Sequence, residues 1–343
     1  TLQQSSAASD VYKRQNGGPG GLFHSLRQIP PIIEICEDIN LICPDAVVFN
    51  FSNPMQRICH AVTTKFPDLT FIGLCHEIKS MNRQLPDLME TEMLNIEYRA
   101  AGLNHLSILL EARYKNTGKD GYPIIKQNFD AYFSDLVNKH DAKPSKPGAE
   151  RGVFRKLFKT YGYLPITTDS HLGEYIQWAY SVADHDAILD FYDNYKEKCL
   201  AFYDNKTSYD HYFDLKNLDT HERVVPIIEG ILSDSAYEEP AINIPNNGYI
   251  ECLPKDIVVE VPGIINKSGI SGISFKNYPA AFGSLLNSQS GVIQMTTDAV
   301  LNASKHSAYL ALLADPVVND SFQAEKLLNN MLETQGKFLY YLK

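Results

Sequence analysis

The chain has 343 residues, 44% hydrophobic and 21% charged, the balance of a globular protein with one large core or two smaller ones. A net charge of −10 and the lack of any Lys/Arg run argue against a nucleic-acid surface, and no apolar stretch is long enough to span a bilayer. Six cysteines (Cys36, Cys43, Cys59, Cys75, Cys199, Cys252) lie scattered without paired spacing, which suits a reducing cytoplasm rather than a disulfide framework.

Residues 1–15 (TLQQSSAASDVYKRQ) show no hydrophobic periodicity and no apolar segment of a signal peptide, and read as a non-native leader. Apolar positions across 21–40 suit a helix interrupted near Pro30-Pro31. A strand over 46–50, a helix over 55–65, a strand over 69–74 and a helix over 85–101 follow. That alternation predicts an α/β fold, the remainder of a doubly wound parallel sheet. Beyond His105 the pattern predicts long helices over 128–138, 151–159, 172–183, 186–198 and 223–233. Short β pieces over 248–250 and 257–261 come next, then helices over 284–315 and 321–342. The stretch 141–148 (DAKPSKPG) is a polar, proline-rich loop. No strand leads into a G-x-G-x-x-G loop. Gly17–Gly21 is glycine-rich but lacks the preceding strand, so it is not read as a pyrophosphate loop, and dinucleotide-binding residues stay unassigned.

Chemistry concentrates at strand ends, where open α/β sheets place their ligands. Cys75 closes the apolar run 69–74, and His105 follows thirty residues later in Gly102-Leu103-Asn104-His105-Leu106. A free cysteine ordinarily just packs. A thiolate and an imidazole presented from neighbouring elements, however, are competent ligands for a divalent transition metal. Asn53 follows the first strand and precedes Pro54, which biases it toward extended geometry. Asp169-Ser170 reads as an ordinary helix N-cap with Glu174 in the first turn. Asn246-Asn247-Gly248 reads as turn chemistry.

The runs GGPGGLFHSLRQIP, NFSNPMQ, GLCHE, GLNHL and INIPNNGYIECLPKDIVVEVP, in that order between Gly17 and Pro262, resemble glycoside hydrolase family 4, the NAD- and manganese-dependent glycosidases. The resemblance implies a Rossmann-like sheet followed by a larger, mostly helical α+β catalytic domain, as in lactate and malate dehydrogenases. It divides the chain into an N-terminally truncated NAD-binding domain over 16–105 and a substrate and oligomerisation domain over 106–343. It makes Cys75 and His105 the manganese ligands. His76 marks enzymes acting on unphosphorylated α-glycosides, as an acid for the leaving group or a sugar hydrogen-bond donor. Asn53 binds sugar hydroxyls; Asn104 binds the sugar or orients His105. Asp169 and His171 are both candidates for the base.

The implied reaction oxidises sugar C3 with NAD+, removes the C2 proton beside the metal-polarised ketone, eliminates the leaving group, adds water and returns the hydride. Glycosidases that place two carboxylates across the bond work differently. Galactoside, glucoside and uronide are all open as substrate, and a homo-oligomer is expected by analogy. The rival readings are a metal-free 2-hydroxy-acid dehydrogenase and an inactive fragment.

Overall fold

The computed structural model describes residues 16–139, 151–204 and 223–343; the proline-rich stretch 141–148 lies outside them. Helix α1 (Gly18–Ile42) is continuous through Pro30 and Pro31, where the sequence predicts an interruption. A proline at position 30 cannot donate to the Leu26 carbonyl one turn earlier. The Tyr341 hydroxyl supplies that missing donor at 2.7 Å, so the helix survives its prolines through a contact 315 residues away.

Strand β1 (Val47–Asn50), helix α2 (Met55–Lys65) and strand β2 (Thr70–Gly73) follow as the sequence predicts, and β1 and β2 pair in parallel. Helix α3 (Ser80–Met89) ends sooner than predicted. Residues 96–101, assigned to that helix, belong instead to strand β3 (Ile96–Leu103), which forms a hairpin with β4 (Leu106–Tyr114). Period and length are poor arbiters for so short an apolar segment, and cross-strand pairing decides it.

Four helices follow: α4 (Tyr122–Lys139), α5 (Gly152–Tyr161), α6 (Asp169–Leu172) and α7 (His185–Asp204). The helix predicted over 172–183 is therefore only the end of α6, a turn and a short 3-10 segment, Gln177–Ser181. Helix α8 (Val224–Ser233) precedes β5 (Tyr237–Pro245), β6 (Val258–Asn266) and β7 (Gly269–Gly272). Residues 246–249 form a turn, with the Asn246 side chain accepting from the Ile250 N–H and lying against the carbonyls of Ile250, Leu253 and Pro254. Helices α9 (Ala280–Leu301), α10 (Lys305–Ala314), α11 (Ser321–Thr334) and α12 (Gly336–Leu339) complete the chain.

The strands form one mixed sheet in the order β1-β2-β5-β6-β3-β4, with β7 on β6, and helices pack against it in an α/β, Rossmann-like arrangement. Apart from the parallel pair β1–β2, its pairings are antiparallel. Two joints are thin: β2 meets β5 only at Gly73↔Asn243, and β3 meets β6 only at Gly102↔Glu260. Gly73 and Gly102 are required there. A Cβ at Gly73 would lie 2.8 Å from Cys59 Sγ, and one at Gly102 would lie 2.4 Å from the Leu106 carbonyl. The proposed boundary at residue 105 falls inside the β3–β4 turn.

Candidate metal and substrate site

Two chain segments meet at the thin joints. After β2 the chain runs through Leu74, whose N–H donates to the Asn50 carbonyl at 3.0 Å, to Cys75, His76 and a 3-10 turn over Glu77–Lys79. From the other side, the two-residue turn Asn104–His105 joins β3 to β4. His105 sits at φ 63°, a left-handed conformation that histidine tolerates better than most residues. The turn brings His105 Nε2 to 3.4 Å from Cys75 Sγ. That spacing is what a sulfur and a nitrogen show when both bind one ion at about 2.0–2.3 Å.

The electrostatics agree with a cation between them. His105 is buried, and its pKa is held well below the ordinary 6.5 by burial, then by His171 and His76, which favours the neutral ring, the form able to bind a metal. Its Nδ1 has no partner among the described residues. The Cys75 thiol is pushed up by burial first and by the Glu260 carboxylate next, while hydrogen bonds from the Glu77 backbone and the Asn104 side chain oppose the shift. A thiol so placed stays protonated until a cation arrives to stabilise the thiolate.

His171 completes the cluster. Its ring lies 4.0 Å from that of His105, centroid to centroid, at 33°. One nitrogen or oxygen from each of Glu77, His105 and His171 lies within 4.8 Å of the others, a grouping able to hold a metal ion. Glu77 faces His171 Nε2 at 4.0 Å and His76 Nε2 at 3.9 Å, and accepts from the Thr167 hydroxyl. Glu174 Oε1 lies 3.5 Å from His171 Nδ1, while its Oε2 accepts 2.7 Å hydrogen bonds from the Asn16 and Gly17 N–H groups. The His76 side chain is 59% exposed and lies open to solvent beside this group.

The structure separates the other candidates. Asp169 is fully buried, and its two carboxylate oxygens accept from the Val153 and Phe154 N–H groups at 2.8 Å each, anchoring the start of α5. It is occupied as a cap for a helix other than its own, whereas His171 points into the cluster. Asn104 gives its side-chain amide to Glu260 at 2.7 Å and its backbone N–H to Gln56 Oε1 at 2.9 Å, the arrangement of a residue that orients His105. Asn53, half-buried before the cis Asn53-Pro54 bond, accepts from the Met55 N–H at 3.3 Å, at the end of the strand next to β2.

Glu77 and Glu260 are neighbours of the cluster that sequence reasoning passed over, and Glu174, read there as a first-turn residue, lies beyond the end of α6. Glu77 stood inside the GLCHE run and could have been found there. Glu174 and Glu260 act across about 160 residues of chain.

A cavity of about 640 Å³ adjoins His171 and Glu174, bounded by α1, α7 and α11; Arg27, His24, Lys196, Tyr192 and Tyr195 also line it. No Lys/Arg run exists in the sequence, yet folding brings Arg27 and Lys196 to one cavity. The Asn16 and Gly17 N–H groups, just ahead of the glycine-rich start of α1, are taken up by Glu174. Among the described residues no strand–glycine loop–helix unit fits a pyrophosphate.

Residues 10–91 match the model of the family 4 glycosyl hydrolases, and residues 100–318 match the model of the family 4 glycosyl hydrolase C-terminal domain. An alpha-glucosidase of Erwinia rhapontici is 43% identical across the whole chain and 78% of its own length. An alpha-galactosidase of Bacillus subtilis is 30% identical over 87% of the chain and 67% of its own. A solved 6-phospho-alpha-glucosidase from gut microorganisms, in complex with NAD and Mn2+, superposes with a TM-score of 0.77 over 97% of this chain and 80% of its own; at 19% identity that likeness concerns the fold alone. With both halves of the chain matched and a 43% identical relative aligned from end to end, the chain belongs to family 4 of the glycosyl hydrolases.

Proposed function

We propose that the chain is an α-glycosidase of unphosphorylated sugars, working with a divalent metal, Mn2+ in the first instance, and with NAD. The observation that carries this reading is the Cys75–His105 pair at 3.4 Å with the His171 ring tilted against His105 at 4.0 Å. Cys75 and His105 hold the metal. When bound, the metal supplies Lewis acidity and the dinucleotide supplies a hydride acceptor, and both act at a sugar ring carbon.

His171 is the base. A proton taken at Nε2, on the side of Glu77, leaves an imidazolium that Glu174 stabilises from the Nδ1 side. His76, exposed at the mouth, gives a proton to the leaving oxygen or a hydrogen bond to the sugar. Asn53 contributes to the sugar contacts from the end of β1. Residues 16–105 are the truncated dinucleotide-binding domain, from which Asn53 and His76 reach the sugar, residues 106–343 are the substrate and oligomerisation domain, and the enzyme self-associates. The likeness to an alpha-glucosidase and an alpha-galactosidase, together with the histidine after the metal cysteine, supports unphosphorylated sugars. A dehydrogenase reading leaves the Cys75–His105 pair without a task.

The test is hydrolysis of 4-nitrophenyl α-glucoside, α-galactoside, α-glucuronide and α-glucoside 6-phosphate, with and without Mn2+ and NAD+, under reducing conditions. Cleavage of a neutral α-glycoside that needs both additives and disappears in Cys75→Ala is the expected result. Cleavage of the 6-phosphate alone would move the substrate assignment to phosphorylated sugars and give Arg27 and Lys196 their purpose.

A further inference from the structure

Behind the ligand pair lies a carboxylate without a role in the chemistry above. Glu260, on β6, is 3% exposed. Its Oε2 accepts from Asn104 Nδ2 at 2.7 Å and from Asn243 Nδ2 at 3.3 Å, and its Oε1 lies 2.9 Å from the Ser107 hydroxyl. Asn104 shares the turn with His105, and Ser107 follows it on β4. Asn243 donates in addition to the Gly73 carbonyl at 3.3 Å, at the end of the strand that delivers Cys75.

Glu260 therefore grips both ligand-bearing segments at once, and it does so where the backbone barely joins them, since each joint is a single residue pair. Gln56 works beside it. Its amide donates to the Val258 carbonyl and its Oε1 accepts from the Asn104 N–H, which ties the same turn to β6 and to α2. Burying a carboxylate is unfavourable unless its acceptors are filled; here two side-chain amides donate to Oε2, and the Ser107 hydroxyl is shared between Oε1 and the Leu103 carbonyl.

We propose that Glu260 is a positioning residue that holds Cys75 and His105 at metal-ligand spacing through Asn104, Ser107 and Asn243. The inference rests on the metal reading of the Cys75–His105 pair. Outer partners that fix a ligand's orientation change metal affinity by roughly 10–100-fold when removed.

The probe is Co2+, titrated into the full chain with a phosphine reductant. The thiolate-to-metal charge-transfer absorbance reports Cys75 ligation, and thermal unfolding is followed in parallel. Wild type should show the band and Cys75→Ala should lose it. Glu260→Gln keeps the volume but turns one acceptor into a donor. It should weaken Co2+ binding about 10–100-fold and shift the band while still melting cooperatively. Asn104→Ala cuts the link to the His105 turn and leaves the other two contacts of Glu260 in place. It should weaken binding in the same direction, and it decides the matter if Glu260→Gln does not fold. Unchanged affinity and an unchanged band in the folded variant overturn the positioning role while leaving the metal site intact. A wild-type chain that binds no Co2+, or binds it equally well without Cys75, overturns the metal reading and this inference with it.

Discussion

Asp169 and His171 stand two positions apart and present opposite cases. Removing the Asp169 carboxylate strips two N–H groups at the start of α5 of their acceptor, a loss of about 1–2 kcal/mol. Asp169→Asn should lower the melting temperature and leave kcat per folded molecule within about threefold, whereas His171→Ala should cut kcat by about 10²–10⁴ and leave the melt nearly unchanged. A steady-state and calorimetric comparison of the two variants checks both halves; loss of kcat without loss of stability in Asp169→Asn would return the base to that residue. A second test concerns His60, buried with Nε2 3.0 Å from Gln294 Oε1, whose pKa is lowered from 6.5 by burial. The folded chain then binds fewer protons than the unfolded chain below pH 6.5, so this contribution is full above that pH and fades as acid is added. Melts recorded from about pH 7.5 down to about pH 5.5 should fall more steeply for wild type than for His60→Gln. At this scale the sequence exposed Cys75, His105 and His171, because their residue types announce ligand and proton chemistry. The acidic residues that aim them were hidden, since an isolated Glu174 or Glu260 looks like any surface carboxylate until distant segments meet around it.

The β3–β4 hairpin is the element on which the site depends, and it is also the one the sequence concealed. Ile96–Leu103 carries Ala100, Ala101 and Gly102, residues without strong strand preference, and the neighbouring helical pattern extended over them. The parallel pair β1–β2 was legible because each strand is a short apolar run bounded by polar residues and followed by an amphipathic helix. The hairpin leaves no room at Gly102, where an added Cβ meets the Leu106 carbonyl and lies 2.6 Å from Ser107 Cα. Gly102→Ala should destabilise the chain by about 1–3 kcal/mol and weaken Mn2+ binding as well, because the displaced strand carries His105 with it. The same substitution at Gly118, whose φ of 68° is strained but whose surroundings are open, should affect stability alone. Mn2+ titrations of the two variants separate the cases.

For the molecule as a whole, a metal held by residues on two sides of thin joints should brace the sheet. Adding Mn2+ to about one hundred times its dissociation constant should raise stability by about 2.7 kcal/mol, visible as an upward shift of the melting temperature that chelation reverses and Cys75→Ala abolishes. No shift in wild type would speak against the site. The Rossmann-like architecture was legible from the alternation of strands and helices before His105. The mixed character of the sheet was not, because the antiparallel strands after residue 236 enter it from a part of the chain whose local pattern is mostly helical.

One carboxylate has two obligations. Glu174 fastens the Asn16 and Gly17 amides, just ahead of α1, with one oxygen and faces the His171 ring with the other. Its negative charge cannot be given fully to both. Oε2 accepts from Asn16 and Gly17 while Oε1 faces His171 Nδ1, so one side chain joins the start of the described chain to the proposed base. The Asn16–Gly17 segment leads directly into Pro19, Gly20 and Phe23, which help to wall the cavity. The wall of the cavity and the proposed base thus share one anchor, and what disturbs that carboxylate disturbs both.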